Sequence, residues 1–97
     1  MDEYKLIEFI KEIISIRSLT GEEGSVVNRI GQEMHHLGYD EVWIDQAGNA
    51  LGLIQGERPG KCILLDAHVD TVTANPEDWR SNPWVAEIRE GRIYGRG

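Results

Sequence analysis

The run CILLDAHVDTV, residues 62–72, decides how this chain is read. Its first four residues, Cys62 to Leu65, form a short continuous apolar run, the pattern of a central strand covered on both faces. Three ionisable groups follow at every second position: Asp66, His68 and Asp70. Side chains alternate across a strand, so residues two apart share a face. If the extended geometry continues past Leu65, all three project to one side. They would do so at the carboxyl end of a core strand, where ligands bind in open α/β sheets.

The segments upstream supply the layers for such a strand. Leu6, Phe9, Ile10, Ile13 and Ile14 recur at helical spacing and predict an amphipathic helix over residues 3–16. In TGEE (20–23), Thr20 as N-cap with Glu23 three residues later reads as a capping box, and Glu22 and Glu23 suit the positive end of a helix dipole. That explanation of the two glutamates is simpler than metal binding. Val26, Val27, Ile30, Met34 and Leu37 mark one face of the second helix, and Gly38 stops it. His35 and His36 are adjacent near its end. Helical neighbours point about 100° apart, so the two cannot readily chelate one ion.

EVWID (41–45) and NALGLI (49–54) read as strands joined by a turn, and ERPGK (57–61) as a second turn. Residues 73–84, with two prolines and two tryptophans, read as a long irregular loop in which Trp79 and Trp84 either cover a sheet edge, the commoner role, or wall a pocket. VAEIREGRIYG (85–95) predicts a hairpin with Glu90-Gly91 at its turn. The expected fold class is α/β, with two amino-terminal helices packed on a mixed β-sheet.

Composition narrows the functional classes. Ninety-seven residues make one small domain, and the net charge of −7, from 17 acidic and 10 basic residues, argues against a nucleic-acid partner. The lone cysteine, Cys62, cannot form an intrachain disulfide and fits a reducing cytosol. The amino terminus is polar and acidic, unlike a signal peptide. No apolar stretch approaches the ~20 residues of a membrane helix. The expectation is a soluble, cytoplasmic protein.

A histidine flanked by carboxylates has two good uses. As a metal ligand, a neutral imidazole donates its other ring N–H to a carboxylate, here Asp70, which fixes the tautomer. As a general base, His68 would be oriented by Asp70 in the manner of a triad. That use needs a nucleophile, and Ser18, Ser25, Ser81 and Cys62 offer no motif. A polar loop leaving a strand would show the same H-x-D pattern, which is short and common.

Several segments taken in order carry more weight than any one of them. ILLDAHVDTV, DWRSNPW and AEIREGRIYGRG, with SLTGEEG before the second helix and LGYDEV after it, resemble the amino-terminal part of a zinc-dependent hydrolase family. That family is typified by acetylornithine deacetylase, succinyl-diaminopimelate desuccinylase, aminoacylase and glutamate carboxypeptidase. The resemblance covers essentially the whole chain. It implies a three-layer zinc-peptidase-like fold of which residues 1–97 are the first part of the catalytic domain. It implies that His68 is a ligand to one of two zinc ions (or cobalt or manganese). It makes Asp70 the catalytic acidic residue that supports the site and tunes the metal-bound water. The implied substrates are N-acyl amino acids or small peptides. Asp66-Ala67 departs from the pattern, because many members carry a glycine just before the histidine.

The family's bridging aspartate, general-base glutamate, remaining ligands and lid or dimerisation domain find no counterpart before Gly97. At most a partial metal site is therefore expected, with no hydrolase activity in the 97 residues alone and no substrate contact assignable. A non-catalytic α/β module that complements another chain or self-associates through exposed sheet edges is the alternative. A simple metal-binding protein using His68, Asp70 and Asp66 is a further one.

Overall fold

Asp2 opens the first helix: its carboxylate accepts the Lys5 backbone N–H at 2.8 Å, an N-cap bond that satisfies one orphan donor. The computed structural model describes residues 2–97. Helix α1 (Glu3–Ser15) lies against α2 (Gly24–His36). Arg29 of α2 ties them together. Its Nε and Nη2 donate to the two carboxylate oxygens of Glu12 at 2.7 Å each, and Nη1 donates to Glu33 at 2.9 Å. The guanidinium also lies 4.9 Å over the Phe9 ring. A planar fork on a carboxylate fixes geometry as well as charge. The Arg29 hydrogen bonds hold the Glu12 carboxyl below the usual glutamate range and push Arg29 itself up.

Gly38 ends α2 as the sequence implies. Its φ of 85° is left-handed, and the Tyr39 N–H reaches back to the Met34 carbonyl at 3.1 Å while the Gly38 N–H reaches His35 at 3.1 Å. This is a Schellman motif. The chain then enters β1 (Glu41–Ile44), which pairs antiparallel with β2 (Ala50–Leu53) in a register that sets Glu41 opposite Leu53 and Ile44 opposite Ala50. Asp45 closes the turn by accepting the backbone N–H groups of Ala47 (3.0 Å) and Asn49 (2.9 Å) and the Asn49 amide (3.0 Å). Those bonds, the Asn49 side-chain one foremost, lower its pKa. Helix α2 covers this hairpin and buries Val26, Val27 and Gly31.

A second hairpin, β3 (Glu87–Arg89) and β4 (Arg92–Tyr94), turns through Glu90 (φ 50°) and Gly91 (φ 73°). Two left-handed residues are what a tight type I′ turn demands. Ahead of it, residues 73–84 hold one 3-10 turn, Pro76–Asp78.

Two expectations need correction. The sheet is not mixed: among the described residues two separate antiparallel hairpins are present, and parallel pairing is confined to one bridge between Leu19 and Thr71. Residues 62–65 are not a buried central strand. They form no ladder, Ile63, Leu64 and Leu65 are 84%, 85% and 90% exposed, and Cys62 is exposed too. A strand exists only through its neighbours' hydrogen bonds, and neither hairpin lies beside this run. The cost shows in the surface. A compact chain of this mass exposes about 5,600 Å², whereas this one exposes 8005 Å².

Packing at the α2–hairpin interface makes two glycines opposites. A Cβ on Gly52 would sit 2.5 Å from the Tyr39 ring and 2.7 Å from the Met34 sulfur, whereas one on Gly31 would meet only Val42 Cγ1 at 3.9 Å. Gly52→Ala is expected to lower stability by about 1–2 kcal/mol through overpacking. Gly31→Ala is expected to raise it by about 0.5–1 kcal/mol. Urea midpoints followed by circular dichroism separate the two. The lowered carboxyls of Glu12 and Asp45 also predict acid sensitivity. Each contributes stability that is complete above the ordinary carboxylate range and is lost as pH falls through the lowered native value. The urea midpoint should fall over that window, and Arg29→Gln should remove the Glu12 part of the fall.

Candidate functional site

The site begins in the link between the helices. Ser18 is 2% exposed, and its hydroxyl donates to the Val69 carbonyl at 2.8 Å. The Thr71 N–H donates to the Ser18 carbonyl at 2.8 Å, and Leu19 bridges Thr71 in parallel register. Residues 18–20 are thereby laid alongside residues 69–71, about fifty positions later. A turn follows at once: the Glu22 N–H closes on the Leu19 carbonyl at 2.7 Å with Gly21 at φ 88°. A positive φ at the third position is what a type II turn requires. The Glu23 carboxylate accepts the Gly21 N–H at 2.8 Å.

That turn corrects the capping box. Glu23 is itself the residue preceding α2 and makes no side-chain cap bond. Its carboxylate folds back on the turn instead. Thr20 is likewise committed elsewhere: its hydroxyl donates to Asp70 Oδ2 at 2.6 Å.

Asp70 uses its other oxygen on the histidine. His68 Nδ1 lies 3.0 Å from Asp70 Oδ1 and 3.0 Å from the Asp70 backbone carbonyl. Both neighbours are acceptors at neutral pH, so Nδ1 carries the proton and the neutral ring keeps its lone pair on Nε2. The His68 side chain is 85% exposed, that of Asp70 36%. The bond from Thr20, then that from His68, holds the Asp70 carboxyl below the usual aspartate range. The two residues that sequence spacing singled out therefore do meet. The cause is a local turn-like contact and not a shared strand face, and Asp66 takes no part in it.

Arg96 secures the far side. Its Nε donates to the Val72 carbonyl at 2.9 Å, its Nη2 to Thr73 at 2.5 Å, and its backbone N–H to Pro83 at 2.6 Å. The guanidinium stands 5.9 Å from the Trp79 ring centre. Pro83 is fully buried, and Arg17 lies 4.6 Å over Trp84. The tryptophans are thus partners of two arginines. Sequence reading weighed Ser18 only as a nucleophile and Thr20 only as a helix cap, and it passed over Arg96. Thr20-Gly21 carried a usable signal, because a glycine directly after a threonine argues for a turn before it argues for a cap.

Chemically, the arrangement offers one imidazole nitrogen to a Lewis acid or a proton. It fits one ligand of a zinc ion, whose catalytic sites need about three. Among the described residues no group of three or more His, Cys, Asp or Glu side chains is placed to hold a metal ion. A groove of about 460 Å³ lies between α1 and α2 around Phe9, Arg29 and Glu33 and shares no residue with this site. It is the hollow left beside the Arg29 ion pairs, so the directed hydrogen bonds mark the site and not the volume. No helix among the described residues is long and apolar enough to cross a membrane.

No family model and no solved structure matches the chain. Curated proteins do. The protein YgeY of Escherichia coli (strain K12), itself uncharacterised, is 38% identical over 93 residues, covering 95% of this chain and 23% of that protein. A succinyl-diaminopimelate desuccinylase of Methylococcus capsulatus is 33% identical over 93 residues, 94% of this chain and 24% of that protein. A protein of Pyrococcus abyssi provisionally named LysW-lysine/LysW-ornithine hydrolase is 41% identical over 93 residues, again 94% and 24%. The chain thus spans about a quarter of the length of the curated relatives it matches.

Ser18 is the residue on which the juxtaposition rests. Ser18→Ala removes a part-buried hydrogen bond and leaves the Val69 carbonyl short of a donor, at a cost of about 1 kcal/mol. The Thr71 amide, bonded to the Ser18 carbonyl, should then exchange with solvent about five-fold faster in native-state hydrogen exchange, while amides of the β1–β2 hairpin are unchanged.

Proposed function

The chain belongs to the hydrolase family of the succinyl-diaminopimelate desuccinylases, and on that premise we propose that it is the amino-terminal part of a metal-dependent amidohydrolase catalytic domain. The observation that supports this reading most is the His68–Asp70 pair, with Nδ1 tied down and Nε2 presented to solvent. In the whole protein, of three-layer zinc-peptidase-like fold, His68 would hold one of two zinc ions (or cobalt or manganese). Such ions supply an activated water and polarise the amide carbonyl. Asp70 keeps the His68 ring in one tautomer and raises the basicity of Nε2. The Ser18 stitch and the Arg96 clamp hold residues 69–73 in place. The proposed substrates are N-acyl amino acids or small peptides, cleaved at the amide bond, in the cytoplasm. The other ligands and the general base would come from segments beyond the 97 residues.

A second reading has its own observation. Three consecutive large apolar side chains, Ile63–Leu65, stand exposed on an unpaired backbone. A non-catalytic module that associates through them is the alternative.

One set of samples tests both. After equilibrium dialysis against zinc, elemental analysis of the purified chain should find weak, substoichiometric metal that His68→Ala abolishes. N-acyl amino acids should not be turned over. Two tightly held ions per monomeric chain would overturn the partial-site reading. In a protein of the relatives' length containing this segment, Asp70→Asn should lower kcat/KM about 10–100-fold. Unchanged activity there, together with stable oligomers of the 97-residue chain in light scattering, would favour the associating module.

A further inference from the structure

We propose that Thr20 is a positioning residue: its hydroxyl, donated to Asp70 Oδ2, turns the carboxylate so that Oδ1 faces the His68 Nδ1 proton. This rests on the reading that Asp70 orients His68, and it names the residue that orients Asp70.

The argument starts from what a carboxylate on an exposed segment would do alone. Asp70 is one-third exposed, and a free aspartate samples several rotamers, each pointing its oxygens differently. Its contact with His68 spans two residues and carries no information from the rest of the fold. The Thr20 bond does, because it reaches across fifty positions at 2.6 Å. Thr20 in turn is not free to wander. Ser18 and Leu19 are bonded to residues 69 and 71, and the Leu19–Glu22 turn closes at 2.7 Å with Gly21 left-handed. The turn therefore aims the hydroxyl from a fixed anchor. With one oxygen held by Thr20 and the other by His68, the carboxylate plane is set at both ends. Thr20 itself is exposed, so removing its hydroxyl disturbs no packing.

The test uses the 97-residue chain, labelled with ¹⁵N, without metal, at about pH 8.5. The Nδ1 and Nε2 shifts of His68, read through its carbon-bound ring protons, give the fraction of ring protonated at Nδ1. In the parent and in Thr20→Ser that fraction should be dominant. In Thr20→Val, which keeps the shape and loses the hydroxyl, it should fall at least two-fold, with the Thr71 amide still protected as proof of folding. An unchanged fraction in Thr20→Val overturns the proposal. Loss of the effect in Thr20→Ser overturns it as well, because a hydroxyl would then not suffice. Asp70→Ala separates the two levels. If it lowers the fraction while Thr20→Val does not, only the role of Thr20 fails. If neither moves it, the orienting role of Asp70 fails with it.

Discussion

The parallel contact between residues 18–20 and 69–71 is the constraint on which the candidate site depends. It is small: one backbone bond, one side-chain bond from a buried serine, and one bridge. Closing a loop of fifty residues costs chain entropy that grows only slowly with length, so a few good bonds plus the burial of Ser18 are of the right order to hold it. Without them residues 66–72 would be an extended exposed segment with no fixed relation to the helices. With them, Asp70 and Thr20 arrive at hydrogen-bonding distance. Arg96 then ties Val72 and Thr73 to the loop and hairpin that follow. The site is assembled by stitching three separated segments, and no single element contains it.

The same stitching explains an imbalance in the molecule. Its well-packed part is α2 on the β1–β2 hairpin, with Val26 and Val27 buried; Pro83 and Ala86 are buried as well. Beside this small core lies the exposed Ile63–Leu65 run. Fully burying a Leu or Ile side chain is worth about 1.5–3 kcal/mol, so leaving three exposed forgoes a sum comparable to a small domain's whole stability. The functional reading accounts for it. In a protein four times as long, as proposed above, such a run would have strands to pair with, and the polar residues after it would stand where that sheet ends.

What the sequence made legible follows from range. The helices, the β1–β2 hairpin, the Gly38 stop and the Glu90-Gly91 turn were readable because each depends on spacing or turn chemistry within a few residues. The errors came from elsewhere. Residues 62–65 carry a true strand pattern, but strand formation depends on a partner that this chain does not place beside them. Thr20 and Glu23 carry a true capping pattern, but a left-handed Gly21 diverts both, Thr20 to Asp70 and Glu23 to the turn. His68 and Asp70 were legible as a pair because their contact is local. Ser18, Thr20 and Arg96 were not, because nothing within a few residues of them announces a partner 23 to 53 positions away.

This difference in range bears on how such a site could work. The His68–Asp70 contact forms wherever the chain turns at Val69, so by itself it would exist in many orientations. Catalysis and metal binding need one. A ligand held within a fraction of an ångström loses little entropy when the reaction begins, which is the advantage of preorganisation. Here the local contact supplies the chemistry, a neutral imidazole with its lone pair on Nε2. The long-range bonds from Ser18, Thr20 and Arg96 supply the orientation. The division also fits a segment whose partners come from further along a longer chain. On that proposal, its share of the site would be set by bonds within these residues alone.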